Sequence, residues 1–240
     1  MNTRLGVTIL LLYVGMLAIS CRAPAASVDC AELSPTPLRD YLGNAVPPLP
    51  ELSTEIKSAN ATENLRYVPS TIANSTQQPF RFLVGWDVEN RSYTISVGNG
   101  INIRSQVMYG RHSPSLSALL ACLGAPQEYW AWYGETSVGS GWATYVMLIY
   151  PDQGITVWGA DYTKRQLSDS GNLQDRAALS LVPVESIVYT LPASSETLVA
   201  RAWSFEELET PTALRHWYLD HLKPWPGGWE AIDVLREPRP

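Results

Sequence analysis

The chain has 240 residues and a formal charge of −6 at neutral pH. With 45% hydrophobic and 17% charged residues, and aromatics weighted to Trp (9) and Tyr (12) over Phe (3), it has the composition of a globular protein that can bury a sizeable core. The acid excess argues against a nucleic-acid partner, because no basic patch is present to neutralise phosphates.

The first twenty residues form a targeting segment. Arg4 is the one charge before an apolar or neutral run over 5–19. Such a run is short for a membrane span and suits a signal-peptide core. It ends in Leu17-Ala18-Ile19-Ser20-Cys21, which resembles the lipobox of bacterial lipoproteins. That resemblance implies removal of 1–20, acylation of Cys21 (palmitate among the acyl chains) and attachment to a cell-envelope membrane through the lipid. The alternatives are an ordinary signal peptide cut near 23–26, or an uncleaved anchor. Residues 21–50 then read as the lipidated N-terminus and a tether rich in Pro, Ala and Ser. With Cys21 acylated, Cys30 and Cys122 remain. An oxidising compartment permits a disulfide between them, and a buried free thiol at Cys122 is the other reading. Neither has a Cys-x-x-Cys neighbour, so neither redox chemistry nor metal binding is expected.

Residues 51–240 read as one α+β domain. Weak helical character surrounds 52–56. A three-stranded meander follows over 81–87, 93–97 and 101–107, with turns at Glu89-Asn90-Arg91 and Gly98-Asn99-Gly100. Ser113 and Pro114 read as the N-cap and first position of a helix, and Leu116, Leu119, Leu120 and Leu123 give it one apolar face. Gly124 and Pro126 end it. Strands come next over 129–133, 142–150 and 155–158, the last two joined by the turn Pro151-Asp152-Gln153-Gly154. Residues 164–178 are polar and loop-like. Residues 181–191 suit one more strand, with Pro183 at its start or on a sheet edge. From about 195 the chain turns helical: a helix over 195–202 capped by Ser195, a capping box at Ser204-Phe205-Glu206-Glu207, and a helix from Thr210-Pro211 to about Leu222. A turn bearing Trp225 and Trp229 follows. The fold class is therefore α+β: an antiparallel sheet made of a meander plus a helix–three-strand unit, with helices packed on one face and a helical C-terminal region.

No constellation of catalytic residues stands out. His216 and His221 are five apart, so the i, i+4 spacing of helical metal ligands is absent. Gly139-Ser140-Gly141 lacks the Gly-x-Ser-x-Gly pattern of a nucleophile elbow. Neither a phosphate-binding loop nor a dinucleotide fingerprint occurs, and no cofactor or metal is expected. Trp130 and Trp132 alternate on one strand face, with Tyr129 and Tyr133 on the other. The first pair is a candidate binding surface, and the alternative is that they fill the core.

The segment 114–161 resembles two related groups, the β-lactamase-inhibitor-protein-like modules and the small lipoproteins of the outer-membrane assembly machinery. The resemblance is carried by Leu119, Leu123, Gly124 and Pro126 at the helix end and by the three strands after it. With Tyr150, Pro151 and Gly154 it is also similar to a family of lipoproteins from Chloroflexota-type bacteria. It covers about fifty residues and implies a shape, without any catalytic residue. A meander precedes the helix here where the inhibitor-like modules have a second helix. The expectation is a membrane-anchored envelope lipoprotein acting as a non-enzymatic binding module toward an envelope protein or glycan. The alternative is an envelope glycan hydrolase using paired carboxylates such as Asp87 and Asp161.

Overall fold

The computed structural model describes residues 30, 42–43, 66–69, 81–86, 92–98, 101–110, 113–135, 142–162, 176–202 and 212–236. Cys21 and the targeting segment, the helix expected near 52–56, Asp87 and the capping box at Ser204 lie outside them. The strands are β1 (Arg66–Pro69), β2 (Arg81–Trp86), β3 (Ser92–Gly98), β4 (Ile101–Met108), β5 (Glu128–Glu135), β6 (Trp142–Tyr150), β7 (Ile155–Asp161), β8 (Val184–Tyr189) and β9 (Lys223–Pro224). The helices are α1 (Leu116–Leu123), α2 (Ser195–Ala202) and α3 (Thr212–His221). All strands join one antiparallel sheet in the order β1-β2-β3-β4-β8-β7-β6-β5-β9. The α+β class therefore stands, and β1 extends the expected meander by a strand. The C-terminal part is mixed: two short helices, the two-residue strand β9 and a 3-10 turn at Trp229–Ala231.

The sheet consists of two antiparallel runs, β1–β4 and β5–β8, joined where β4 pairs with β8. That pairing sends the chain from the middle of the sheet at Met108 to its far side at Glu128, and α1 makes the crossing. Its start comes later than Ser113 and Pro114 suggest. Val184 N donates to Pro114 O and Leu116 N to Val182 O, while Ser115 bridges Pro183. Residues 113–115 are thus held extended against the approach to β8, and the helix cannot begin there. Ser115 is the cap, its Oγ accepting from Ala118 N. Ser113 instead donates its hydroxyl to Gly110 O. Pro183 sits at a strand start as expected, but at the start of a central strand, where its missing N–H falls before the first ladder bond of β8.

The helices are divided between the two sheet faces rather than gathered on one. On the first face, Leu116 and Leu119 of α1 pack with Tyr129, Val146, Leu148, Val157 and Ile187, and Leu120 and Leu123 pack at the margin. On the second, Leu198 and Val199 of α2 and Tyr218 of α3 cover Trp130, Trp132, Tyr145, Met147 and Ile149. Burial on both sides explains why 142–150 reads as a continuous apolar run rather than an alternating one. A bulge at Glu185, where Trp158 pairs with Ser186 but Gly159 with Val184, lets the Glu185 carboxylate accept from Trp158 Nε1 at 3.1 Å.

The turn between β6 and β7 is a 3-10 turn, Pro151–Gln153, closed by Gly154 at φ 66°, ψ 33°. Thr190 donates both its N–H and its hydroxyl to Gly154 O. A Cβ at Gly154 would lie 2.1 Å from Thr190 O. We expect Gly154→Ala to cost about 2–4 kcal/mol in denaturant unfolding, left-handed backbone and steric clash together. Leu119→Ala, in the packed centre of α1, should cost about 2–5 kcal/mol; a loss below about 0.5 kcal/mol, the size of a surface change, would mean that α1 does not pack on the sheet.

Candidate functional site

Trp130 and Trp132 share a strand face, as their spacing requires, but that face is interior. Trp130 is 0% and Trp132 5% exposed. Trp130 stacks on Trp158 with centroids 5.6 Å apart and meets Trp217 and Tyr218 edge-on at 5.1 and 5.0 Å. The Trp132 ring lies along Gly134, where a Cβ would fall 2.1 Å from it, and stacks on Tyr145 at 5.1 Å. The binding surface proposed for these two residues is thus corrected: α3 covers Trp130, and both indoles are core. Tyr129 and Tyr133 are buried on the opposite face, so both aromatic sets are interior.

Four of the described acids hold structural partners. Asp152 accepts from Gln127 Nε2 at 3.0 Å, Glu128 from Ser195 Oγ, Glu185 from Trp158, and Asp233 pairs with Lys223. Asp161, one of the pair considered for hydrolysis, is buried at the end of β7; Asp87 lies outside the described residues. No group of three or more His, Cys, Asp or Glu that could hold a metal occurs among the described residues. His221 Nδ1 lies 2.7 Å from Trp217 O and its ring stacks on Trp217, so it belongs to the helix α3 packing.

What the fold does bring together is one end of the sheet. There β5 and β7 begin, β6 and β8 end, and α1 finishes. Cys122 in the last turn of α1 is bonded to Cys30 across 92 residues. Gly124 follows at φ 80°, ψ −173°: positive as expected, but in an extended, glycine-specific region rather than the left-handed helical one. Tyr150 donates its phenol to Gly124 O, and Gln153 Nε2 donates to Leu123 O. Burial pushes the Tyr150 phenol well above its usual pKa of 10.0, so the neutral donor form is the one that holds this contact. Trp225 N donates to Gln127 O, which sets Trp225 at this same end; its half-buried ring packs on the first core and meets Tyr129 and Trp229 edge-to-face at 6.0 and 5.1 Å. Leu191, 51% exposed, follows the end of β8. Gly43 lies against it, while Leu42 packs on the first core. The stretch expected as a tether over 21–50 therefore meets the domain at Cys30 and again at Leu42. At the opposite end, Met108, Tyr162 and Leu181 are exposed.

Two interactions gave no sequence signal. Arg104 on β4 is buried; its Nε donates to Arg201 O at the C-terminus of α2, and its Nη2 to Gln106 Oε1. Burial lowers its pKa to about 10, still charged at neutral pH, and a cation suits that helix end. The other is the α2 cap. Ser194, one residue before the expected Ser195, accepts from Thr197 N, which frees Ser195 to hold Glu128.

Truncating Trp130 should act on stability. Trp130→Ala is expected to lose about 3–5 kcal/mol in denaturant unfolding. A near-neutral effect would place this indole back on the surface.

No family model matches the chain, and no curated protein matches it. Among solved structures it is similar to a cysteine-rich secretory protein from Staphylococcus aureus subsp. aureus Mu50, at 10% identity over 75% of this chain and 58% of that one, with a TM-score of 0.30. The chain thus spans under two thirds of that protein's length, and a likeness this slight carries no argument about fold or function.

Proposed function

We propose that the protein is an exported lipoprotein, held to a cell-envelope membrane through acylated Cys21, that acts as a non-enzymatic binding module toward an envelope protein or glycan. The observation that carries this reading is the bond between Cys30 and Cys122. Structural disulfides belong to oxidising compartments outside the cytoplasm, and this one lies just downstream of an apolar segment that ends at a small-residue–cysteine junction. The binding role, rather than hydrolysis, is favoured by the partners of four of the described acids: Asp152, Glu128, Glu185 and Asp233 are each engaged in contacts within the fold. A hydrolase needs two carboxylates facing each other across a cleft. Among the described residues no helix is long and apolar enough to cross a membrane, so the domain itself offers no helical anchor there.

The test is the N-terminus of the mature protein. Intact mass and peptide mapping of protein purified from its own membranes should show a chain beginning at Cys21 and carrying a diacylglyceryl group. Cys21→Ser should leave the detergent phase on partition. A chain that begins near 23–26, or a Cys21→Ser variant that stays in the detergent phase unchanged, refutes the anchor.

A further inference from the structure

We infer that the Cys30–Cys122 bond is a reducible clasp: a dithiol opens it while the domain stays folded, and Cys30 is then released from α1.

The two cysteines are held unequally. Cys122 packs at the margin of the first core and is fixed on both sides without the bond. Before it, Leu116 and Leu119 are buried, and Leu116 N donates to Val182 O. After it, Tyr150 donates to Gly124 O and Gln153 to Leu123 O. None of these contacts involves the chain before residue 116, so all survive when the bond opens. The buried residues of both cores likewise come from positions 107–232. Cys30, by contrast, is exposed. The next described residue, Leu42, packs on the first core in its own right. An attacking thiolate must reach a sulfur, so an exposed disulfide exchanges more readily than a buried one.

The exchange balances within the pair of reactants. A thiolate of the dithiol attacks Cys30 Sγ, the bond to Cys122 Sγ breaks, and Cys122 leaves as a thiolate that takes up a proton. The second thiol of the reductant then displaces Cys30 in the same way. The protein gains two electrons and two protons, and the dithiol becomes a disulfide.

This opening stands apart from the anchor, whereas its effect at a membrane rests on the anchor proposed above. With the bond closed, nine residues lead from Cys21 to Cys30, a leash of at most about 30 Å. With it open, 21 residues lead from Cys21 to Leu42, at most about 70 Å. Reduction therefore lengthens the leash and leaves the domain as it was.

The test treats full-length protein in native buffer with dithiothreitol, with pulses of an alkylating agent, peptide mapping by mass, and tryptophan emission followed in parallel. Trp130 and Trp132 are buried, so emission shifts to the red if the second core opens. Cys30 and Cys122 should become alkylated together with no red shift, and urea below the unfolding transition should not accelerate the reaction. A variant with both Cys30→Ser and Cys122→Ser should keep the wild-type emission and unfold in one transition at a lower urea midpoint. Thiols that appear only with a red shift, or faster as urea is added, show that the bond opens by unfolding and overturn the clasp. So does a double variant without folded emission. The same map reports Cys21 separately: an unacylated Cys21 refutes the anchor and leaves the clasp standing.

Discussion

Strands β5 to β8 are buried on both faces, and the arrangement of the rest of the molecule follows from that. A strand with apolar side chains on both sides needs two covering layers. Here α1 supplies one, and α2 with α3 supplies the other. The alternating aromatics of β5 are split between them: Tyr129 and Tyr133 go to the α1 side, Trp130 and Trp132 to the other. The outer edge of β5 is closed as well. Glu128 and Tyr129 pair with β9, and Leu235 exchanges backbone hydrogen bonds with Ala131 and Tyr133. Leaving that edge open would expose a ladder of unpaired donors and acceptors beside a strongly apolar strand.

Local features of the fold were legible in the sequence where one short stretch carries the whole signal. The turn Pro151–Gln153 with Gly154, the Leu ridge of α1 and the position of Pro183 at a strand start all depend on near neighbours. Features set by distant chain were not. The start of α1 lies at Leu116 rather than Pro114, and its cap at Ser115 rather than Ser113, because Val182 and Val184 hold residues 113–115 extended. Trp130 and Trp132 resemble a surface pair until α3 arrives from the far end of the chain. Arg104 reads as an ordinary strand polar residue, and only the packing of α2 reveals that it caps that helix through Arg201 O.

The candidate site was legible in pieces. The sequence identifies Cys30 and Cys122 as a possible pair, and Trp225 and Trp229 as a Trp-bearing turn. What it leaves out is that antiparallel topology brings both features to the same end of the sheet. The disulfide there does two things. It closes a long loop, which stabilises by limiting the unfolded chain, and it moves the domain's first point of attachment from Leu42 to Cys30, close to Cys21, the position proposed to carry the lipid. A module tied so closely would meet partners at the membrane surface rather than far from it.

The bond that sets this geometry can be read directly. Peptide mapping of unreduced protein, alkylated before digestion, should yield one species joining the Cys30 and Cys122 peptides, which separates into two on reduction. Recovery of Cys30 and Cys122 as two alkylated peptides from folded protein would contradict the account, leaving neither the short leash nor the disulfide that carries the proposed export.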